Sequence, residues 1–212
     1  MIKVNEIFYS IQGESSYAGL PCVFVRLTYC NLRCSYCDTE YAFYEGEDKS
    51  IDEIIREVKK YQCKLVEITG GEPLVQNESL DLMKKLCDEG FEVMLETGGS
   101  LPVKDVDERV KIIMDLKSPS SKMEKKNLYE NINYLKPDDE IKFVIGDKED
   151  YGWSKEIIKK YKLNDKFEIL FSNVFDKLEP VTLVNWILND KLKVRYQPQI
   201  HKYIWKPETK GV

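Results

Sequence analysis

Three of the six cysteines, Cys30, Cys34 and Cys37, crowd into the run Cys30-Asn31-Leu32-Arg33-Cys34-Ser35-Tyr36-Cys37. Three thiolates on one tight loop can each take one iron of a four-iron cluster and leave the fourth iron open to chelate a small molecule. Structural zinc sites more often use two C-x2-C pairs, and the sequence has no second pair. A zinc site short of one ligand, or cysteines with no ligand, are the plainer alternatives. A second candidate is Thr69-Gly70-Gly71-Glu72-Pro73. Two glycines let the backbone approach a ligand closely, and Glu72 offers a carboxylate to an ammonium group. Glu96-Thr97-Gly98-Gly99 and Asp115-Leu116-Lys117-Ser118-Pro119-Ser120 add two more polar stretches, the latter equally readable as a plain Ser/Pro turn. His201, the single histidine, lies in Gln199-Ile200-His201-Lys202. Cys22, Cys63 and Cys87 fall in strand or helix patterns and read as buried apolar side chains.

The elements around these stretches alternate. Strands are expected at Val23–Leu27, Leu65–Thr69, Phe91–Glu96, Val110–Leu116, Glu140–Ile145, Phe167–Ser172 and Leu192–Tyr196. Ser50 to Glu53 has the form of a capping box, and Ile51, Ile54, Ile55 and Val58 follow at helical spacing to about Tyr61. Asn77 is placed to cap a helix with Leu80, Met83, Leu86 and Cys87 turned inward, ending near Gly90. Further helices are expected near Asn127–Leu135, Asp150–Tyr161 and Pro180–Asn189. Strands separated by helices run mostly parallel, so the fold class is α/β. Seven strands in 212 residues, short of the roughly 250 of a complete barrel, suggest a partial (β/α) barrel, with a doubly wound sheet as the alternative. In either, the site lies at the C-terminal ends of the strands, where these motifs fall. Nothing marks a domain boundary, so residues 1–212 are read as one domain.

Composition narrows the setting. There are 32 basic and 37 acidic residues, giving a formal net charge of −5, and no Lys/Arg block offers a footing for nucleic acid. The uncharged run from Ser15 to Val25 is too short to span a membrane. Charges within Met1–Glu6 argue against a signal peptide. A cytoplasmic protein is expected, in which crowded thiols mean metal or redox chemistry rather than disulfides.

The C-x3-C-x2-C run, with Tyr36 just before the last cysteine, resembles the radical S-adenosylmethionine (SAM) superfamily. The resemblance implies a partial barrel carrying a [4Fe-4S] cluster on Cys30, Cys34 and Cys37. It implies that the amino and carboxylate groups of SAM chelate the unique iron, and that reductive cleavage yields a 5′-deoxyadenosyl radical that abstracts a substrate hydrogen. Gly71 and Glu72 match the motif that holds the SAM amino group; Tyr36, Cys37, Asp38, Ser118 and Ser120 are the other implied SAM-site positions. The chain has Gly98 where the family commonly has Asn, and Ser120 where a Ser-Pro-Lys turn often has lysine.

Phe8-Tyr9-Ser10-Ile11-Gln12-Gly13-Glu14, Gly19-Leu20-Pro21, Phe24-Val25-Arg26-Leu27, Cys37-Asp38-Thr39 and the Gln199–Lys202 stretch together resemble the 7-carboxy-7-deazaguanine synthase family of the queuosine pathway. That resemblance implies conversion of 6-carboxy-5,6,7,8-tetrahydropterin to 7-carboxy-7-deazaguanine with loss of ammonia. It also implies Mg2+ dependence, a homodimer and a flavodoxin- or ferredoxin-type reductant. Ile11, Gln12, Gly13, Glu14, Arg26, Thr69 and His201 are the implied substrate contacts. Gln12 and the backbone at Ile11 and Gly13 suit the donor/acceptor edge of a pterin, and Arg26 its carboxylate or a carbonyl. The Thr39 hydroxyl could hold Mg2+ beside the substrate carboxylate, or simply cap its own turn. Two other readings stand beside this one. A glycyl-radical activase shares the cysteine spacing but typically continues His-Asn rather than Asp38-Thr39, and an iron-sulfur electron carrier would need a fourth thiolate.

Overall fold

The computed structural model describes residues 1–207 and 209–212. Among the described residues nine strands form one sheet: β1 (Ile2–Ile11), β2 (Pro21–Leu27), β3 (Glu47–Lys49), β4 (Leu65–Gly70), β5 (Glu92–Thr97), β6 (Lys111–Asp115), β7 (Glu140–Ile145), β8 (Glu168–Asn173) and β9 (Arg195–Tyr196). The helices are α1 (Ile51–Lys59), α2 (Glu78–Asp88), α3 (Lys148–Tyr161), α4 (Pro180–Asn189) and α5 (His201–Ile204).

The spatial order β3-β1-β2-β4-β5-β6-β7-β8-β9 decides the architecture. From β2 onward every neighbouring pair is parallel and the order follows the chain, so each crossover steps in one direction. Right-handed crossovers that never reverse put all their helices on one face. A doubly wound sheet must reverse; this one does not. The result is a partial (β/α) barrel left open between β3 and β9, with β1 antiparallel to both β2 and β3.

Period-2 alternation assigns each strand residue a face. Val23, Val25, Val66, Ile68, Val93 and Leu95 pack outward on Ile54, Leu82, Met83 and Leu86 of the helical layer. Phe8, Cys22, Phe24, Leu65, Met94, Ile113 and Leu170 point inward and fill the barrel with an apolar plug, Phe8 and Phe24 stacked at 4.9 Å. Toward the strand N-termini, a polar ring underlies the plug. Lys111 pairs with Glu140 at 2.9 Å and lies over the Tyr17 ring, whose hydroxyl donates to Glu92. Toward the strand C-termini, the inward positions turn polar again, and there the candidate site lies.

Local sequence accounts for most element ends. Ser50 and Glu53 form the reciprocal capping box of α1, Pro180 opens α4, and Gly90 takes φ +76° after α2. Asn77 precedes α2 but makes no side-chain cap. The helix expected near Asn127–Leu135 is instead a chain of 3-10 turns at Pro119–Ser121, Glu124–Lys126 and Tyr129–Asn133. Side-chain amides explain it: Asn127 pairs with both backbone groups of Lys117, and Asn131 with Val103, Gly99 and Leu101, holding the segment to the loops. The last strand shortens to Arg195–Tyr196 behind a tight turn from Val194 N to Leu192 O. β1 escaped the sequence reading because a register shift between Val4 and Glu6 breaks its alternation. Among the described residues no helix is long and apolar enough to cross a membrane.

Candidate active site

The cysteine loop leaves β2 at Leu27 and turns sharply at Tyr29, which has φ +78°. Thr28 anchors that exit through N–H to Lys3 O and hydroxyl to Glu45 O. Within the loop, Leu32 N donates to Cys30 Sγ at 3.4 Å and Cys37 N to Cys34 O at 3.2 Å. Arg33 spans the outside, donating to Cys30 O and lying 4.2 Å over the Phe43 ring. Ser35 fixes the loop against the Pro119–Ser121 turn, bonding Ser120 O and Ser121 O. Cys30, Cys34 and Cys37 are free thiols on the wall of one cavity of about 620 Å³. Burial pushes the Cys34 thiol up to about 11, so ionisation there calls for a metal. Among the described residues no three His, Cys, Asp or Glu side chains gather closely enough for a single metal ion. On a cubane each thiolate binds a different iron, so the three need only face one cavity, as they do here, which suits a cluster with its fourth iron open.

Opposite the loop, the turn after β4 is built for close approach. A Cβ on Gly71 would meet Tyr29 O at 2.2 Å and Cys30 Cβ at 2.8 Å; one on Gly70, at φ +152°, would meet Leu27 O at 2.2 Å. Glu72 is fully buried, accepting from Leu74 N (3.1 Å), Gly98 N (2.7 Å) and the Thr97 hydroxyl (2.9 Å). It remains on the cavity wall, a carboxylate fixed beside the cysteines. Burial raises its proton affinity, and the two backbone N–H donors work against that rise.

The barrel interior supplies the rest of the wall. Residues 12–17 run across it from β4 to β7: Gln12 Nε2 donates to Glu67, Glu14 meets Lys142, and Ser16 N bonds Glu140 at 3.1 Å. Lys142 also donates to Glu96 at 2.7 Å, forming a Glu14–Lys142–Glu96 triad in which Lys142 is buried and the two carboxylates are half-buried. Burial and neighbouring carboxylates push Glu67 up to about 8; burial lifts Glu96 to about 7 against the pull of Lys142. Arg26 donates Nε to Glu6 at 2.8 Å between the Phe8 and Tyr41 rings. α5 closes over the mouth: a Cβ on Gly13 would lie 2.0 Å from His201 Nδ1, and Lys202 pairs with Asp38 at 2.8 Å. Burial lowers the proton affinity of His201, which favours neutral imidazole. Thr39 makes no side-chain cap on its own turn, and its hydroxyl lies 3.7 Å from Cys37 Sγ.

This geometry has relatives. The model of the Radical SAM superfamily matches residues 25–167. The 7-carboxy-7-deazaguanine synthase of Chlorobaculum tepidum is 47% identical over all of this chain and 97% of its own length. That of Koribacter versatilis is 46% identical, with both chains covered in full. The chain belongs to the 7-carboxy-7-deazaguanine synthase family. The crystal structure of QueE from Escherichia coli shares the fold at TM-score 0.77 and 21% identity, covering 93% of each chain.

Of the positions named from the sequence, Ile11, Gln12, Gly13, Glu14, Arg26, Thr69 and His201 line the cavity, as do Cys30, Cys34, Tyr36, Cys37, Asp38, Thr39, Gly71 and Glu72. Ser118 and Ser120 do not. Ser118 is buried, with its hydroxyl donating to Val144 O and 3.3 Å from that of Tyr36, and Ser120 is held through N and Oγ by Asp150. Both brace the cysteine loop from outside the cavity wall. Sequence reasoning missed Glu67 and Lys142 as site residues, and named Glu96 and Asp115 only as parts of polar strand ends. The available signal was only the alternation: each is a charge at an inward position of its strand, preceded by an apolar outward residue, and which face is inward is set by the sheet rather than by the strand itself.

Proposed function

We propose that this chain is the radical SAM lyase that converts 6-carboxy-5,6,7,8-tetrahydropterin to 7-carboxy-7-deazaguanine with loss of ammonia. The observation that carries the reading is one cavity walled by the three cysteines, the Gly71-Glu72 turn and the Gln12–Glu14 segment. Cys30, Cys34 and Cys37 would hold the [4Fe-4S] cluster, and Gly71 and Glu72 the amino end of SAM. When bound, the cluster supplies the electron that turns SAM into a hydrogen-abstracting reagent. The protein's own part is binding and exclusion. Gln12 and the backbone at Ile11 and Gly13 present donors and acceptors to the pterin, Arg26 offers a guanidinium to its carboxylate, and the plug beneath keeps water from the reacting face.

Mg2+ is assigned to Thr39, whose hydroxyl is left without a cap bond beside Cys37. A hydroxyl and waters bind Mg2+ weakly until a substrate carboxylate completes the shell, so cation and pterin should reinforce each other. Thr39→Val should abolish the Mg2+ enhancement of pterin binding in anaerobic titration calorimetry; full enhancement in the variant would remove Thr39 from the site. A single domain over residues 1–212, a cytoplasmic homodimer and a flavodoxin- or ferredoxin-type electron donor complete the reading. Anaerobic incubation with 6-carboxytetrahydropterin, SAM and a reductant tests the main claim: 7-carboxy-7-deazaguanine and ammonia should form in equal amounts. SAM cleavage with no deazapurine would overturn it.

A further inference from the structure

Glu67 stands in the middle of β4 between Val66 and Ile68, its side chain turned into the barrel and 5% exposed. Burying a carboxylate is costly unless a cation or several N–H donors meet it. The neighbouring carboxylates obey that rule. Glu14 and Glu96 share Lys142, Asp115 holds Lys117 at 2.8 Å, and Glu72 accepts two backbone N–H groups. Glu67 has no such partner among the described residues. Its one hydrogen bond comes from the neutral amide of Gln12, which aims the carboxyl at the cavity it lines.

A ligand rich in N–H donors would complete this arrangement. The 2-amino-4-oxopyrimidine ring of a pterin carries the N3–H and a 2-amino N–H side by side, spaced to meet both oxygens of a carboxylate. A 2-oxo ring offers a carbonyl in place of the amino group, and carbonyl against carboxylate is repulsive.

We propose that Glu67, oriented by Gln12, receives the N3–H and 2-amino edge of the substrate and thereby selects pterins over their 2-oxo counterparts. This rests on the pterin reading of the cavity. Burial, with Glu96 and Glu14 nearby, pushes the empty site's Glu67 up to about 8, the behaviour of a carboxyl waiting for donors.

The test is anaerobic titration calorimetry of 6-carboxytetrahydropterin and of 6-carboxytetrahydrolumazine, its 2-oxo counterpart, into cluster-loaded protein. In Glu67→Gln the side-chain carbonyl still accepts from Gln12, so the local frame persists, while the new amide can face a carbonyl. The wild type should prefer the pterin by roughly a hundredfold, the upper range of the penalty for leaving one buried polar group unpaired. Glu67→Gln should bind pterin about tenfold or more weakly and narrow that preference by at least tenfold. Glu67→Asp keeps the charge but withdraws it, and should weaken pterin binding while keeping the preference. Iron content and SAM affinity should stay at wild-type values in both. An unchanged preference in Glu67→Gln, or unchanged pterin affinity in both variants, would overturn the role of Glu67 and leave the pterin reading intact. A wild type that binds no pterin would overturn both.

Discussion

At Gly71 the missing side chain is itself a structural requirement, because Tyr29 O and Cys30 Cβ already occupy the space a methyl would need. Neither neighbour is the free end of a flexible chain, so Gly71→Ala must push the cysteine loop away from the turn. The expected outcome is reduced iron after anaerobic reconstitution, with far-UV circular dichroism unchanged; wild-type iron content would show that the loop yields freely. Glu72 serves twice, as backbone acceptor and as the anion at the SAM end. Glu72→Ala should therefore weaken SAM binding about tenfold to hundredfold and also lower Tm, since Gly98 N and Leu74 N lose their acceptor at about 1–3 kcal/mol each. A variant with normal SAM affinity would limit Glu72 to holding the turn. Cys30, Cys34, Cys37 and the Gly-Gly turn were legible because contiguous motifs carry their chemistry in local spacing. Glu67 and Lys142 were not, because a lone charge in a strand reveals nothing until its face and its neighbours across the sheet are known.

Among the elements, those whose ends are written in side chains were read closely: β7 and α4 match their expected ranges, and the Ser50–Glu53 box opens α1 as expected. Those shaped by distant partners were not. Asn127 and Asn131 turn an amphipathic stretch into 3-10 turns by bonding loops far along the chain, and the register shift in β1 hides a ten-residue strand. The inward plug is a further tertiary product, assembled one or two residues at a time from six strands. Met94, with no exposure, sits within it. Met94→Ala should cost about 2–5 kcal/mol and lower Tm by roughly 5–15 °C for a chain of this size, measured by thermal circular dichroism. A loss within error would mean that the interior collapses to fill the gap.

For the molecule as a whole, the inward charges make stability depend on pH with a definite sign. Glu67 binds its proton more tightly folded than unfolded, so its contribution is present below the ordinary carboxylate range and is lost as pH rises toward about 8. Glu14 works in the opposite direction and lower down: burial alone would raise its pKa, but Lys142 holds it below the ordinary value, and that contribution is lost only as pH falls through its folded value. Between pH 5 and 8 the wild type should therefore lose Tm with rising pH, and Glu67→Gln should show a shallower slope; parallel slopes would place the titration elsewhere. Sequence composition offered no hint of this, since a net charge of −5 does not say which carboxylates are inside. The plug has one more consequence. It makes the cavity a blind shaft, with Glu67 near its base and the cysteine loop and α5 at its rim. A shaft loads from the bottom: the molecule that meets Glu67 must arrive before the one that meets the cysteines, and must wait for it to leave. Initial-rate patterns should accordingly be those of compulsory-order addition, with the deazapurine product the last to depart.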